Sequence, residues 1–404
     1  MVDSMVDWIG AAEACAMLGI ARKSLYAYVS RGSVKSAPGE RGRARRYARD
    51  DIERLRVRQR ARSGHGPVAA GALRWGEPVL ETAVGSVDAR GPLYRGIAAV
   101  ELARDGVTFE AVAELLWSGT LPAAAPAWPR VEPRVAWQAI ARLCPAGTAP
   151  TDALPIALAA LRVRAPDPPG SETTARALIA ALAAATALPD AARAARAIDA
   201  GSVAAITARA LGARGRDAAR AIDATLVLMA DHELNASTFA CRVTASTGAD
   251  LHACLAAGIA AASGPRHGGA PERFAALVAE TGRADRAAAT LRARLRRGDH
   301  VPGYGHPFYP DGDPRLPPML ALARAVAGKD PRVRAAIALV EAGPDVLGQH
   351  ATCDAGLVAV ADALGLEGGG ASTLFMIGRT AGWVAHALEQ RAAGFLIRPR
   401  ARAT

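Results

Sequence analysis

The sequence predicts a mainly α-helical protein with a small, separate module at its N-terminus. After residue 100 it contains few alternating runs of β-branched residues, which argues against a large sheet. Long helical patterns are instead separated by proline-rich breaks at residues 122–133 and 165–169. With 404 residues, of which 51% are hydrophobic, the chain can bury a large core and is long enough for two or three domains.

The N-terminal module shows two short helices followed by a hairpin and a third helix. The first helix is predicted over residues 11–18 and the second over residues 21–30. Residues 36–47 contain a turn rich in glycine and arginine between two short strands, and a helical pattern resumes over residues 50–60. This order is that of a small winged helix-turn-helix domain, which we assign to residues 1–62.

Positive charge is concentrated in this module. Residues 1–62 hold 14 Lys and Arg against 7 Asp and Glu, so they carry +7 of the net charge of +11. Such asymmetry indicates an anionic partner, and DNA is the candidate. Arg22, Lys23 and Tyr26 lie near the start of the second helix, where such domains meet the major groove. The hairpin adds four arginines that are placed to reach phosphates: Arg41, Arg43, Arg45 and Arg46. A basic face that only contacts solvent, or docks on the rest of the chain, is the alternative.

Residues 63–74 begin with Ser-Gly-His-Gly-Pro and predict a linker, so the second domain is assigned to residues 75–404.

The five cysteines are scattered without Cys-x-x-Cys spacing, so neither a disulfide framework nor a zinc site is expected and a reducing cytoplasm fits. No signal peptide is expected. Apolar stretches such as residues 175–188 are short and alanine-rich, so they predict buried helices and no membrane span.

Three histidine segments are the chemically informative part of the second domain. His232 lies in Asp-His-Glu-Leu-Asn, His267 in Gly-Pro-Arg-His-Gly-Gly, and His306 in Gly-Tyr-Gly-His-Pro. A carboxylate and two arginines follow: Arg315 in Asp-Pro-Arg, Asp354, and Arg379 in Gly-Arg-Thr-Ala-Gly-Trp. Histidine exchanges protons near neutral pH, and arginine pairs bidentately with carboxylates. The set therefore suggests acid–base chemistry on a dianionic substrate.

In their order and flanking residues these segments resemble the citrate synthase family, over about residues 78–400. The resemblance implies a two-domain helical fold in which a smaller subdomain, roughly residues 265–365, is inserted into a large helical one. It also implies an acyltransferase that condenses acetyl-CoA, or another short acyl-CoA, with oxaloacetate to give citrate or 2-methylcitrate and CoA. Acyl-CoA would be a co-substrate, and no tightly bound cofactor or metal is expected.

By the same resemblance, the catalytic residues are His267, His306 and Asp354. Asp354 takes the position of the base, His267 that of the donor to the thioester carbonyl, and His306 that of the group polarising the ketone. Four residues would hold oxaloacetate: His232, Arg315, Arg379 and Arg398. In the family the last arginine reaches into the neighbouring subunit's pocket, so a homodimer is implied.

The N-terminal module resembles MerR-like and excisionase-like DNA-binding domains in residues 13–20 and 24–28, and it is an addition to the synthase pattern. Within the synthase-like part, Pro307 and Pro310 stand where many members of the family carry basic residues that contact CoA phosphates. The residues around Asp354 also depart from the family pattern, because Thr-Cys precedes the aspartate instead of Asn-Val.

Two other functions remain open at this stage. One is a DNA-binding regulator that uses the synthase-like domain as a sensor of oxaloacetate, citrate or acyl-CoA. Such a sensor needs the arginines but not the base, so Asp354 favours the enzyme. The other is a cysteine-dependent hydrolase using Cys353 or Cys241, for which an inert buried thiol is the simpler interpretation.

The remaining histidines of the second domain are expected to be structural: His252, His300, His350 and His386.

Overall fold

The computed structural model confirms a mainly α-helical chain and divides it into two compact units, residues 2–81 and 82–404. The structure describes residues 8–30, 33–38, 45–53, 55, 80–128, 136–164, 172–366 and 368–399. The predicted linker, residues 63–74, lies outside these residues, as do Arg41 and Arg43 of the predicted hairpin.

The smaller unit has the predicted helix-turn-helix. Its elements are β1 (Trp8–Gly10), α1 (Ala11–Leu18), α2 (Arg22–Ser30), β2 (Ser36–Pro38) and β3 (Arg45–Ala48). Strand β3 pairs antiparallel with both β2 and β1, and β1 is a strand that the sequence pattern did not indicate. Residues 49–53 and 55 are helical, and the rest of the predicted third helix lies outside the described residues. The helices and sheet enclose a small apolar core: Ile9, Leu18, Leu25, Tyr47 and Ile52.

The larger unit starts with a small antiparallel sheet of β4 (Gly85–Asp88), β5 (Gly91–Tyr94) and β6 (Ile97–Ala98), in that order. α-Helices then follow as far as Ala393, and a tail without helix or strand completes the described chain. They are α3 (Ala99–Arg104), α4 (Phe109–Ser118), α5 (Trp137–Ala141), α6 (Pro150–Arg164), α7 (Glu172–Ala185), α8 (Ala191–Ala197), α9 (Val203–Ala210), α10 (Ala218–Met229), α11 (Ala236–Ser246), α12 (Leu251–Ala262), α13 (Ala270–Thr281), α14 (Ala287–Arg297), α15 (Leu316–Ala327), α16 (Pro331–Leu347), α17 (Cys353–Leu364) and α18 (Gly370–Ala393).

Helix α18 lies at the centre of the larger unit and packs against α10, α11, α12 and α17. Glycines allow this close packing. A Cβ at Gly378 would lie 2.8 Å from the Cβ of Met229, and a Cβ at Gly258 would lie 2.8 Å from the ring of Trp383. These glycines therefore let neighbouring helices pack closely against α18. Arg379, which lies on α18, is buried in the interior as a result.

Within the described residues, no helix combines the length and the apolar character that crossing a membrane requires.

Replacing Gly378 with alanine tests this packing. In an exposed helix the change would stabilise by about 1 kcal/mol, because glycine is the poorer helix former. Here we expect Gly378→Ala to lower the free energy of unfolding by about 1–3 kcal/mol, because the new methyl overpacks the contact with α10. Chemical denaturation measures the change, with Ala392→Ser at an exposed position of α18 as the control. A stabilised Gly378→Ala variant would contradict the packing.

Candidate active site

His232 lies in the loop between α10 and α11 and is almost fully buried. Its Nε2 is 2.8 Å from the hydroxyl oxygen of Tyr309, and its ring centroid is 5.5 Å from that of His306. The Tyr309 ring also stacks on His306, with centroids 4.8 Å apart. Burial, and then the positive charges of Arg315 and Arg379, lower the pKa of His232 well below its usual value. His232 is therefore neutral near pH 7.

His306 lies in a glycine-rich loop that precedes α15 in the sequence. Gly303 and Gly305 have φ values of 83° and 74°, which favour glycine, and Gly305 N donates to the carbonyl of His350. The backbone N–H of Phe308 donates to Nδ1 of His306 at 3.2 Å, so in the neutral ring the proton sits on Nε2. Burial, followed by the charge of Arg315, lowers the pKa of His306 to about 4. The ring is thus a neutral hydrogen-bond donor through Nε2.

Arg315 and Asp313 form a buried bidentate ion pair. The Arg315 Nε donates to Asp313 Oδ1 at 3.0 Å, and its Nη2 donates to Oδ2 at 2.8 Å. Burial raises the pKa of Asp313, but Arg315 outweighs it and the net pKa is lowered. Asp313 Oδ2 also accepts the backbone N–H of Cys353 at 3.1 Å. The pair therefore ties the His306 loop to the start of α17.

Asp354 is the second residue of α17 and is 4% exposed. Thr352 caps this helix, and its hydroxyl donates to Asp354 Oδ2 at 3.0 Å. Burial raises the pKa of Asp354 to about 6, although the Thr352 hydrogen bond and the charge of Arg315 act in the opposite direction. A carboxylate with a pKa in this range is charged at neutral pH and accepts a proton readily, as a general base must.

His267 lies in the tight turn between α12 and α13. A Cβ at Gly268 would lie 2.6 Å from the last carbonyl oxygen of α12, so the chain approaches more closely than other residues allow. Nε2 of His267 is 2.7 Å from the hydroxyl oxygen of Ser237, which also accepts the indole N–H of Trp383 at 3.1 Å. Burial, and then Arg379, lower the pKa of His267 to about 3. This imidazole is also neutral at pH 7.

Arg379 is fully buried on α18, and its Nε donates to the carbonyl of Met229 at 2.8 Å. The Cζ of its guanidinium lies 5.0 Å from the centroid of the Phe375 ring. The centroid of that ring lies 5.4 Å from the ring centroid of His267. Burial lowers the pKa of Arg379, with the charge of Asp231 opposing it. The arginine therefore links the His267 side of the site to the loop that carries His232.

Arg398 is placed apart from the other candidates. It is exposed in the tail after α18, and the backbone N–H of Ile397 donates to the hydroxyl of Ser246 at 3.1 Å. In the described part of the chain it makes no hydrogen bond or ion pair with another candidate residue.

The structure brings the other six predicted residues into contact or electrostatic range, in groups around Arg315 and around Arg379: His232, His267, His306, Arg315, Asp354 and Arg379.

Several residues that orient these groups had no predicted role, although Asp313 belongs to the Asp-Pro-Arg motif of Arg315. Tyr309 contacts His232 and His306, Asp313 fixes Arg315, and Ser237 bonds to His267. Tyr309 lies three positions after His306, which was the only available signal for it. Ser237 follows His232 closely in the sequence, but its bond to His267 could not be predicted, because the two residues meet only after α11 and α12 have packed together.

The two cysteines considered as nucleophiles are buried thiols. Burial raises the pKa of Cys353, and both the neighbouring Cys254 and burial raise that of Cys241, so both stay protonated at neutral pH. This weighs against a cysteine-dependent hydrolase. Among the residues that the structure describes, no three His, Cys, Asp or Glu side chains are grouped so that they could hold a metal ion.

Comparison with known proteins bears on the larger unit as a whole. Residues 72–400 match the family model described as "Citrate synthase, C-terminal domain". The chain belongs to the citrate synthase family. Residues 8–60 match a second model, described as "Helix-turn-helix domain", so the predicted combination of a helix-turn-helix with a citrate synthase domain is confirmed.

Individual relatives agree with this assignment. The chain is 39% identical over 188 residues to a protein from Mycobacterium tuberculosis named "Putative citrate synthase 2", a match covering 45% of this chain and 50% of that protein. It is 32% identical over 185 residues to a 2-methylcitrate synthase from Shewanella oneidensis, covering 45% of this chain and 49% of the relative. The chain therefore spans about half the length of the curated relatives that it matches.

Solved structures extend the likeness over most of the larger unit. Citrate synthase from Thermotoga maritima superposes with a TM-score of 0.68 at 25% identity, covering 81% of this chain and 94% of that one. The enzyme from Thermoplasma acidophilum, solved with carboxymethyl coenzyme A and oxaloacetate, has a TM-score of 0.71 at 22% identity, covering 80% and 93%. The second comparison supports the fold alone.

The hydrogen bond from Thr352 to Asp354 gives a test of the site's electrostatics. Thr352→Val keeps the shape but removes the donor that stabilises the charged carboxylate, so the pKa of Asp354 should rise further above about 6. Carbon-13 NMR of labelled aspartate, titrated from acid to neutral pH, measures it. Thr207→Val, a buried threonine on α9, is the matched control. An unchanged Asp354 titration in Thr352→Val would show that this bond does not tune the group.

Proposed function

We propose that this protein condenses a short acyl-CoA, either acetyl-CoA or a homologue such as propionyl-CoA, with oxaloacetate to give citrate or 2-methylcitrate and CoA. The observation that carries the proposal is the buried Asp354, whose pKa of about 6 suits a base, combined with neutral imidazoles at His267 and His306. A sensor of the same metabolites would need the cationic groups alone.

The two carboxylates of oxaloacetate need positive partners in a dry site. Arg315 and Arg379 are both almost fully buried. The charges of both arginines lower the pKa of His232, so His232 lies within electrostatic range of each. Arg315 uses its Nε and Nη2 on Asp313, so it would reach substrate through Nη1. Arg398 is proposed to complete the pocket of a second subunit, so the proposal includes a homodimer.

The acyl group is activated by transfer of a proton from the carbon next to its thioester carbonyl to Asp354. The carboxylate removes a proton from the carbon next to the thioester carbonyl, and His267 donates a hydrogen bond to the carbonyl oxygen on which charge develops. Because burial disfavours its charged form, the Asp354 carboxylate binds the proton more readily than a solvated aspartate. Positioning the two reactants supplies much of the remaining acceleration.

The hydrogen bond of His267 decides which nitrogen faces the substrate. The Ser237 hydroxyl lies within hydrogen-bond distance of two acceptors, Asn235 Oδ1 at 2.8 Å and Nε2 of His267 at 2.7 Å, and Oδ1 also accepts the backbone N–H groups of Ser237 and Thr238 as the cap of α11. The proposed role of His267 requires the hydroxyl to turn its proton to Nε2, so that the imidazole carries its own proton on Nδ1, which becomes the donor to the thioester carbonyl.

The new carbon–carbon bond forms when the activated carbon attacks the ketone of oxaloacetate. His306 donates from Nε2 to the ketone oxygen and supplies the proton that this oxygen needs as the bond forms. Water then cleaves the thioester, which releases CoA and leaves the tricarboxylic acid. A pocket distinguishes acyl groups that differ by one methylene by only about 1–3 kcal/mol, so acetyl and propionyl groups are both included.

Removing the base tests the proposal. Asp354→Asn keeps the shape of the side chain but cannot accept the proton, so turnover should fall by about 100-fold or more. Calorimetry should show that oxaloacetate still binds, because the arginines are untouched. Unchanged turnover would remove Asp354 from the mechanism.

The same variant also tests the pKa of Asp354 through its effect on stability. The folded-state pKa of Asp354 lies above its unfolded value, so this group's stabilising contribution is present at acid pH and is lost as the pH rises towards about 6. At pH 8 the variant should therefore be at least as stable as the parent.

A second function, binding of DNA by the smaller unit, is favoured by one structural observation. At the start of α2, Arg22, Lys23 and Ser24 are exposed, while Leu25 is buried in the module's core. Tyr26 is 53% exposed on the same helix. This is the helix that enters the major groove in helix-turn-helix proteins. We propose that it binds DNA through these residues, and a homodimer would present two copies to a palindromic site.

A gel-shift assay tests DNA binding with the chain's own upstream region at low and moderate salt. Affinity should fall steeply with salt, because each neutralised phosphate releases counterions. The double variant Arg22→Ala/Lys23→Ala should weaken binding at least tenfold (about 1.4 kcal/mol). Lys329→Ala/Arg334→Ala, which removes two exposed cations of the larger unit, is the charge-matched control. No shift by the intact protein at low salt would leave the module without a DNA-binding role.

A further inference from the structure

Behind His232 lies a buried carboxylate, Asp231, that the proposed chemistry does not use. It is 1% exposed, and its Oδ2 accepts the backbone N–H of Glu233 at 3.1 Å. Its Oδ1 lies 3.3 Å from Nε2 of His386, which is fully buried on α18. Burial raises the pKa of Asp231, but His386 and Arg379 outweigh it and the net pKa is lowered, so the carboxylate is charged.

Asp231 fits a slot that is closed on two sides by glycine. A Cβ at Gly85 in β4 would lie 2.5 Å from its Oδ2, and a Cβ at Gly382 in α18 would lie 2.5 Å from its Oδ1. The backbone N–H of Gly382 also donates to the carbonyl of Ala230 at 2.9 Å. The residue next to His232 is thus clamped between β4 and α18, which fixes the start of the loop.

His386 continues this contact to a second group of polar side chains, of which Glu389 is partly exposed. Its Nδ1 lies 3.9 Å from Oε2 of Glu389, one turn further along α18. Glu389 Oε2 accepts from Nη1 of Arg242 at 2.8 Å, and its Oε1 accepts from the backbone N–H of Ala83 at 2.7 Å. Arg242 is 2% exposed and lies on α11, so the network joins the segment before β4 to α11 and α18.

The network ends at the C-terminal tail. The Arg242 Nε donates to Oε1 of Gln390 at 3.0 Å, and Nε2 of Gln390 donates to the carbonyl of Phe395 at 3.1 Å. Phe395 lies three residues before Arg398 in the sequence. A series of hydrogen bonds and ion-pair contacts therefore runs from the loop of His232 to the tail that carries Arg398, through side chains that are buried except for Glu389 and Phe395.

We propose that this polar network, formed by Asp231, His386, Glu389, Arg242 and Gln390, is a positioning device that sets His232 and the Arg398 tail together. The inference rests on the proposed binding of oxaloacetate by His232 and Arg398. If the tail enters a second subunit, each network orders one anion-binding group in its own pocket and one in its partner's. Oxaloacetate binding, rather than acyl-CoA binding, should therefore depend on it, because His267 and Asp354 lie on other segments.

Two variants test the inference in the intact chain. His386→Gln removes the link between Asp231 and Glu389, and Glu389→Gln replaces the acceptor of Arg242 with an amide of the same shape. Each should raise the KM and the calorimetric Kd for oxaloacetate by roughly tenfold or more, since small displacements of binding groups are costly. The KM for acyl-CoA should stay within about twofold. His252→Gln, at another buried histidine outside the network, is the matched control and should leave both constants within about twofold.

The possible outcomes separate this inference from the proposed function. A folded His386→Gln variant with unchanged oxaloacetate affinity, or with reduced kcat at an unchanged KM for oxaloacetate, overturns the positioning role. If His386→Gln does not fold, Glu389→Gln decides in the same way. If the parent binds oxaloacetate without turnover and both variants weaken that binding, the proposed reaction fails while the positioning role is upheld. A parent that does not bind oxaloacetate overturns both.

Discussion

The arrangement of the candidate site depends on the buried ion pair between Arg315 and Asp313. The Arg315 side chain is 3% exposed and that of Asp313 is 0% exposed, so each needs the other as a counter-charge. Asp313 also accepts the backbone N–H of Cys353, which connects the loop of His306 to the helix of Asp354. Removing either partner would leave an uncompensated charge in the core, a loss of about 3–5 kcal/mol in other proteins.

The same burial gives the titratable groups complementary protonation states. Because a poorly hydrated environment penalises charge, it raises the pKa of Asp354 to about 6 and lowers those of His306 and His267 to about 4 and about 3. Arginine charges contribute to the lowered pKa values of the two histidines and only partly oppose the rise in the pKa of Asp354. Near neutral pH the result is one charged acceptor of protons and two neutral donors of hydrogen bonds. Separate pKa values in one site are typical of acid and base roles that are already assigned before substrate arrives.

The sequence allowed the helical fold, the helix-turn-helix and the family to be predicted, because these depend on local pattern and on the order of motifs along the chain. It also indicated His232, His306 and Arg315, which the structure brings into one cluster. Strand β1 was missed because three residues carry too little periodicity to distinguish a strand from a loop. His386 was expected to be structural as a lone histidine on a helix. Its approach to Asp231 depends on the packing of α18 against the loop after α10, which no local pattern encodes.

The activity proposed for this chain is the condensation of an acyl-CoA with oxaloacetate. Release of free CoA thiol by the intact protein, with acetyl-CoA or propionyl-CoA, in the presence and absence of oxaloacetate, tests it most directly. We predict that at least one acyl-CoA releases thiol, that this release requires oxaloacetate, and that one tricarboxylic acid forms per thiol released. Thiol release that is independent of oxaloacetate, or no release with either acyl-CoA, would contradict it.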